Sequence, residues 1–120
     1  MMPHILLVED SEFVSDAVRE TLEAEGWRVE TCADGFVASL LIASEARYDL
    51  LLLDNELPNV CGLELARRAR GLAHRERTPI IMLSASECGG EARRAGVDVF
   101  LRKPQDIGKI VETVARLLIS

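Results

Sequence analysis

Five polar residues stand at or just beyond the ends of short aliphatic runs: Glu9, Asp10, Asp54, Ser84 and Lys103. Two carboxylates about 4 Å apart repel each other by about 4 kcal/mol at an effective dielectric of about 20. Three carboxylates in one place therefore raise one another's pKa values or require a cation. Mg²⁺ uses one or two carboxylates and keeps several waters. If the fold brings these residues together, they form a divalent-cation site with a lysine beside it.

The same residues have the chemistry for phosphoryl transfer. A carboxylate such as Asp54 can act as a nucleophile and form an acyl phosphate. A bound metal ion neutralises the charge that develops during the transfer. The Ser84 hydroxyl and the Lys103 ammonium can each bind a phosphoryl oxygen. These groups predict a site that accepts a phosphoryl group on Asp54.

The segments before these residues are predicted to be strands. Residues 5–8, 50–53 and 80–83 are aliphatic without alternation, which is typical of parallel strands buried on both faces. Residues 28–32 and 99–101 alternate more and are predicted as sheet edges. Strands and helical patterns alternate, which predicts one α/β domain over residues 1–120, a doubly wound parallel sheet with helices on both faces. Ligands bind beyond the carboxyl ends of such strands, so the polar residues should share one rim.

Apolar residues at helical spacing predict the helices between the strands. The stripes are Val14, Ala17, Val18, Thr21 and Leu22; Val37, Leu40, Leu41 and Ser44; Leu65, Ala66 and Ala69; and Ile107, Ile110, Val111, Val114, Leu117 and Leu118. Asp34 is the predicted N-cap of the second helix. Before the fifth strand only residues 91–95 have a helical pattern, because Gly89 and Gly90 each cost about 1 kcal/mol in a helix interior. We therefore expect a shortened fourth helix and an altered surface around it.

Composition excludes several classes of function. The formal net charge of −6 repels phosphate backbones and argues against direct nucleic-acid binding, and the basic cluster at residues 67–70 is predicted to be a solvated helix face. No apolar run reaches the roughly 18 residues that span a bilayer. The first residues lack the basic region of a secretory signal, so a cytoplasmic location is expected. Three widely spaced cysteines are expected to be reduced thiols.

Four motifs together resemble the receiver domain of two-component response regulators. They are Glu9-Asp10; Asp54-Asn55-Glu56-Leu57-Pro58 with Gly62; Ser84-Ala85; and Val99-Phe100-Leu101-Arg102-Lys103-Pro104. The resemblance covers essentially the whole chain in order. It implies a five-stranded sheet of flavodoxin-like order 2-1-3-4-5. Ser84 stands where threonine is common and Glu9 where aspartate is common, and both keep the required functional group.

The resemblance also implies roles for single residues. Asp54 is the expected phosphorylation site, with Lys103 and Ser84 as catalytic groups. Asp10, Asp54 and the backbone carbonyl of Glu56 are expected to bind Mg²⁺ (or Mn²⁺), and Glu9 to act largely through water. Ser84 and Phe100 are the expected switch pair. The peptide bond between Lys103 and Pro104 is expected to be cis.

As partners, the resemblance implies a sensor histidine kinase or a histidine phosphotransfer protein. It leaves a homodimer open. Such a domain catalyses only its own phosphorylation and dephosphorylation, so it is not expected to be an enzyme that acts on other substrates. The phosphoryl group shifts an existing equilibrium between an inactive and an active conformation. Residues Glu56 and Ser86 lie where the family varies its dephosphorylation rate.

Three alternatives remain open from the residues. A phosphatase or phosphotransferase with an aspartyl nucleophile commonly carries a second aspartate two residues later, a place that Glu56 occupies here, but such an enzyme requires two further catalytic loops. A flavodoxin-like cofactor binder shares the fold class, but two acids after the first strand repel a phosphate. A receiver-like domain that is never phosphorylated would act only as an interaction module. No GxxxxGK[ST] motif is present for a P-loop.

Overall fold

Five strands and five helices alternate along the chain in the computed structural model, which describes residues 2–119. In chain order they are β1 (His4–Val8), α1 (Glu12–Glu23), β2 (Arg28–Cys32), α2 (Gly35–Ala43), β3 (Leu50–Asp54), α3 (Gly62–Arg70), β4 (Ile80–Ser84), α4 (Gly89–Arg94), β5 (Val99–Arg102) and α5 (Ile110–Leu118). A short 3₁₀ turn, Ile107–Lys109, precedes α5. The predicted domain of residues 1–120 thus includes two terminal residues that lie outside the described part.

The strands form one parallel sheet with the order β2-β1-β3-β4-β5. This confirms the predicted fold class, the strand order and the placement of β2 and β5 at the edges. The inner strands β3 and β4 are buried at every position, which explains why their sequences do not alternate. Because all strands are parallel, all their carboxyl ends lie at the same edge of the sheet.

Helices cover both faces of the sheet. Successive side chains of a strand point to opposite faces, so β1 contributes Leu6 and Val8 to one core and Ile5 and Leu7 to the other. The first core includes residues of α2, α3 and α4, and the second includes residues of α1 and α5. The two cores hold the strands rigidly, which is what a site built at their ends requires.

The predicted inward stripe of α2 is wrong. Val37 and Leu40 are 43% and 57% exposed. The residues of α2 that are buried are Gly35, Ala38 and Ile42. Apolar residues surround most of this helix, so periodicity alone could not select its inner face. Small residues decided the orientation, because a Cβ on Gly35 would lie 1.8 Å from the carbonyl oxygen of Val60. In α1, similarly, Ala17 and Thr21 of the predicted stripe are exposed.

The helix ends agree largely with those predicted from the sequence. Asp34 caps α2 as predicted, its Oδ1 accepting the Phe36 amide at 2.8 Å. The fourth helix has six residues, which confirms its predicted shortness. It begins at Gly89 rather than at residue 91. Glycine is tolerated there because its cost of about 1 kcal/mol applies to a helix interior, whereas Gly89 and Gly90 are the first two residues of α4.

One arginine of the basic cluster is structural rather than solvated. Arg67 and Arg68 are exposed, as the solvated-face prediction requires. Arg70, in contrast, is half-buried and donates to the carbonyl oxygens of Gly96 at 2.9 Å and Thr78 at 2.8 Å. It therefore ties α3 to the loops that flank β4 and β5.

All three cysteines are free thiols, as predicted, with Cys32 and Cys88 buried and Cys61 exposed. Within residues 2–119, every helix is too short or too polar to cross a membrane.

Candidate functional site

The carboxyl ends of the strands bring the predicted polar residues to one edge of the sheet. They are Glu9, Asp10, Asp54, Ser84 and Lys103. The strand register explains their proximity, since Asp54 pairs with Leu83 and Ser84 pairs with Arg102. Each side chain lies at the last residue of a strand or just after it, and every one of these strands contributes to the hydrophobic cores.

Three carboxylates form the centre of this edge. Glu9, Asp10 and Asp54 each offer one oxygen, and these oxygens lie within 4.8 Å of one another. Glu9 is 2% exposed and Asp54 is 1% exposed, whereas Asp10 faces solvent. The Lys103 Nζ lies 3.2 Å from Glu9 Oε1 and 3.1 Å from Asp54 Oδ2. Three negative charges and one positive charge leave a formal charge of −2.

Burial and like charge act against the ionised form of Asp54. Burial is the largest cause that raises the pKa of Asp54 to about 7; the charge and hydrogen bond of Glu9 act in the same direction, and Lys103 opposes them only in part. Burial lowers the pKa of Lys103, but the hydrogen bond and charge of Asp54, followed by those of Glu9, outweigh burial and raise this pKa above its usual value. Lys103 therefore remains charged, while Asp54 requires further positive charge to ionise fully at neutral pH.

The loop between β3 and α3 holds the Asp54 carboxylate in place. The Glu56 amide donates to Asp54 Oδ1 at 3.2 Å, and the Leu63 amide donates to Asn55 Oδ1 at 2.9 Å. Gly62 begins α3 against the end of β3, where a Cβ would lie 2.5 Å from the Asp54 carbonyl oxygen. Only glycine permits this approach, so Gly62 positions the loop that carries the site.

The Ser84 hydroxyl is buried and already hydrogen-bonded. Ser84 is 0% exposed, and its Oγ donates to Glu56 Oε2 at 2.6 Å. The other oxygen of this carboxylate, Oε1, accepts the Ala85 amide at 2.9 Å. Ser84 Oγ itself accepts the Ser86 amide at 3.0 Å. One carboxylate thus engages two neighbouring donors of the loop between β4 and α4.

A second side chain holds this loop from β5. Arg102 donates to the Ala85 carbonyl oxygen at 3.1 Å and forms an ion pair with Glu87. Phe100 is half-buried, and its ring lies 3.5 Å from the place that a Cβ on Gly89 would occupy. The loop is therefore held from both neighbouring strands, and the first turn of α4 rests on the Phe100 ring.

The backbone around Lys103 is tied to the sheet. The Lys103 amide donates to the Ser84 carbonyl oxygen at 2.9 Å, and the Asp106 carboxylate accepts the Arg102 amide at 2.9 Å. The peptide bond between Lys103 and Pro104 is cis, as the resemblance implies. The two hydrogen bonds place the lysine side chain over the acidic residues.

The donor set fits a hard divalent cation. Carboxylate oxygens are the ligands that Mg²⁺ and Mn²⁺ prefer. The formal charge of −2 matches one such ion, and the exposure of Asp10 leaves room for the waters that Mg²⁺ retains. Glu56 lies two residues beyond Asp54 in the same loop, where the resemblance expects its carbonyl to complete the set.

The sequence located the acidic residues and Lys103, and the structure brings them into contact. The sequence did not reveal the contact of Glu56 with Ser84 and Ala85, or the contacts of Arg102 with the same loop. The only sequence signal for Glu56 was its place two residues after Asp54. For Arg102 there was none beyond its position next to Lys103.

The chain matches a family model described as the response regulator receiver domain over residues 5–115. Among solved structures, the receiver domain of the sensor histidine kinase PA1611 from Pseudomonas aeruginosa PAO1 is 31% identical with a TM-score of 0.88, covering 100% of both chains. That structure has a magnesium ion coordinated in its active site cleft.

Two curated relatives differ in length. The phosphate regulon transcriptional regulatory protein PhoB of Rhizobium meliloti is 41% identical over 123 residues, covering 98% of this chain and 53% of that protein. The polar-differentiation response regulator DivK of Brucella anthropi is 30% identical over 121 residues, covering 98% of both. The chain therefore spans about half the length of PhoB and almost all of DivK.

Proposed function

We propose that this chain, which belongs to the response regulator receiver domain family of two-component systems, accepts a phosphoryl group on Asp54 and signals to a partner in that state. One observation carries the proposal above all. The buried Asp54 carboxylate lies among the oxygens of Glu9 and Asp10 and is bonded to the Lys103 ammonium. This combines a nucleophile, a cation-binding set and a fixed positive charge.

The proposed donor is the phosphohistidine of a sensor histidine kinase or a histidine phosphotransfer protein. An Asp54 oxygen attacks phosphorus, and the new O–P bond forms as the P–N bond of the donor breaks. The departing imidazole keeps the electron pair of that bond and takes up a proton. Lys103, now 3.1 Å from Asp54 Oδ2, is placed to pair with a phosphoryl oxygen.

We propose that Asp10, Asp54 and the Glu56 carbonyl hold Mg²⁺ or Mn²⁺ directly, with Glu9 acting largely through water. When bound, the ion would neutralise charge on the phosphoryl oxygens. Holding a cation there also favours the ionised form of Asp54, whose pKa burial raises to about 7. The magnesium in the related PA1611 receiver domain supports this assignment.

The proposed chemistry is limited to the chain's own phosphorylation and dephosphorylation. An aspartyl phosphatase would need Glu56 as an acid–base group and further catalytic loops besides, and in the unphosphorylated chain both oxygens of the Glu56 carboxylate are engaged by Ser84 and Ala85. An interaction module without phosphorylation is not favoured, because it would have no need for three adjoining carboxylates with a lysine. The net charge of −6 argues against nucleic acid as a direct partner of this domain.

Intact-mass analysis with a small phosphodonor and Mg²⁺ tests the proposal. We expect the native chain to gain one phosphoryl group and Asp54→Asn to gain none. Asp16→Asn is the matched control, since Asp16 is an exposed carboxylate on α1, and it should label like the native chain. Labelling of Asp54→Asn, or no labelling of the native chain, would contradict the proposal. Multiple turnover of a phosphate ester would instead indicate a phosphatase.

A further inference from the structure

We infer that the Glu56 side chain is a latch: it occupies, in the unphosphorylated chain, the Ser84 hydroxyl and the Ala85 amide, and the phosphoryl group on Asp54 must displace it to reach them. The inference rests on the proposed function. It assigns Glu56 as a positioning residue that acts through Ser84 and determines how readily the chain adopts its phosphorylated conformation.

The latch contact resembles the contact that a phosphoryl group would make. Glu56 Oε2 accepts from Ser84 Oγ at 2.6 Å, while Oε1 accepts from the Ala85 amide at 2.9 Å. A carboxylate therefore presents two anionic oxygens to two adjacent donors. A phosphoryl group presents the same feature, with two oxygens available for the same hydroxyl and amide. The two anions compete for one pair of donors.

The burial of Ser84 strengthens the competition between the two anions for its hydroxyl. Ser84 is 0% exposed, so water does not readily replace the acceptor of its hydroxyl. A buried donor left without an acceptor is destabilising, so Ser84 favours whichever anion reaches it. Removing the Glu56 side chain leaves the phosphoryl group without this competitor for the hydroxyl.

Only a side chain has to move for the exchange. Glu56 is exposed, so its carboxylate can turn into solvent and be hydrated there. Its amide can keep its contact with Asp54, which positions the loop. Arg102 holds the opposite side of the loop through the Ala85 carbonyl oxygen and does not compete for the two donors. Release of Glu56 therefore need not unfold the loop.

Titration with beryllofluoride, a phosphoryl analogue, at saturating Mg²⁺ tests the latch. We expect Glu56→Ala to bind beryllofluoride about tenfold more tightly than the native chain, because two charge-assisted hydrogen bonds no longer have to be broken. Glu12→Gln is the control for loss of a nearby carboxylate, since Glu12 is exposed and lines the same cleft as Glu9 and Asp10. This control should bind like the native chain.

A double-mutant cycle separates the latch from a simple effect of charge. In a Ser84→Ala background, the tightening caused by Glu56→Ala should shrink clearly, because one of the two contested donors is gone. If Glu56 acted only by repelling the anion, the tightening would be equal in both backgrounds, and the latch would be disproved.

The Ala85 amide proton supplies an independent readout by NMR. We expect its resonance to move upfield in Glu56→Ala and to return downfield on addition of Mg²⁺ and beryllofluoride. An Ala85 resonance that Glu56→Ala leaves in place would contradict the latch contact. Far-UV circular dichroism of each variant checks that the fold is intact.

The two proposals fail differently. If the native chain and Glu56→Ala bind beryllofluoride equally well, the latch is wrong and the phosphoryl-acceptor function stands. If neither chain binds it in the presence of Mg²⁺, the proposed function is wrong and the latch falls with it.

Discussion

Two groups of buried charge lie at opposite ends of the sheet, and they are held in different ways. At the carboxyl ends of the strands, Glu9 and Asp54 share the single ammonium of Lys103. In the loops before β3 and β4, one guanidinium, that of Arg75, is 2% exposed. The first group has an excess of like charge, and the second has one charge surrounded by acceptors.

Arg75 is satisfied by fixed backbone groups. It donates to the carbonyl oxygens of Ile42 at 2.9 Å, Ser44 at 3.2 Å and Ala46. Its guanidinium carbon lies 4.9 Å from the centre of the Tyr48 ring, which is a favourable cation–π distance. All these partners belong to α2 and the loop after it, so Arg75 joins two connections of the fold.

The number of fixed partners is what distinguishes the structural charge of Arg75 from the functional charges of Glu9 and Asp54. A buried charge with enough fixed partners is tolerated, and removing it destabilises the fold because those partners are left unpaired. Carboxylates that are buried together without enough positive charge destabilise the fold until a ligand supplies that charge. Opposite effects on stability are therefore expected when each group is neutralised by mutation.

The largest effect on stability is expected from the loss of Arg75. Arg75→Ala should lower the free energy of unfolding by about 3 kcal/mol, because the buried carbonyl oxygen of Ile42 and the part-buried ones of Ser44 and Ala46 lose a charged donor. Urea unfolding followed by circular dichroism measures the change. Arg47→Ala is the control, since the Arg47 side chain is 79% exposed, and it should change stability by less than about 0.5 kcal/mol. An equally small loss for Arg75→Ala would remove the distinction between the two ends.

At the carboxyl ends of the strands, neutralising a buried charge is expected to raise the free energy of unfolding. Without metal at pH 8, Asp54→Asn should raise the free energy of unfolding by about 2 kcal/mol, because it removes a buried charge that the fold disfavours, although it also removes the ion pair of that charge with Lys103. The pKa of Asp54 is about 7 in the folded chain and about 3.9 when unfolded. The folded chain thus holds the extra proton between these values, and native stability falls as pH rises through that window.

The pH dependence is the check on this sign. The stabilisation by Asp54→Asn should be complete above pH 7 and should shrink as pH falls towards 4, below which aspartate becomes protonated in both states. Urea unfolding at pH 4.5, 6 and 8 (conditions chosen to bracket the folded pKa of about 7) measures it. A variant that is less stable than the native chain at pH 8 would show that Asp54 stabilises the fold.

The smallest effect is expected from the cation. Mg²⁺ at ten times its Kd should raise the free energy of unfolding of the native chain by about 1.4 kcal/mol. The gain should be much smaller in Asp54→Asn, which lacks one ligand, and smaller at pH 6 than at pH 8, because protons compete for Asp54. A chelator should reverse it. An equal gain from a monovalent salt at matched ionic strength would indicate general screening instead of a site.

Local sequence was sufficient for the order of the elements and for most of the site. The aliphatic runs of β1, β3 and β4 required burial on both faces, and the polar residues that end them carry the chemistry. Each feature is readable within a few residues, because hydrophobic runs and their ends are local. The shortness of α4 was predictable for the same reason, although Gly89 and Gly90 lie in its first turn instead of preceding it.

The failures share a cause as well. The inner face of α2 could not be selected by periodicity, because the helix is apolar nearly all round and close approach at Gly35 chose the orientation. Arg70 was predicted to lie on a solvated helix face, and nothing in the sequence distinguished Arg75 from other arginines. Their acceptors are backbone carbonyl oxygens of other loops, and backbone acceptors leave no mark in a sequence.

By itself, the sequence determined which groups stand at the strand ends, and hence that carboxylates and a lysine would meet at one edge of a parallel sheet. The tertiary structure alone decided which group bonds to which. The Lys103 ammonium lies between acids as far as 94 residues away in the chain, and Glu56 reaches Ser84 across 28 residues. Such pairings depend on how helices dock and loops close, and these depend on shape and volume, which residue spacing does not encode.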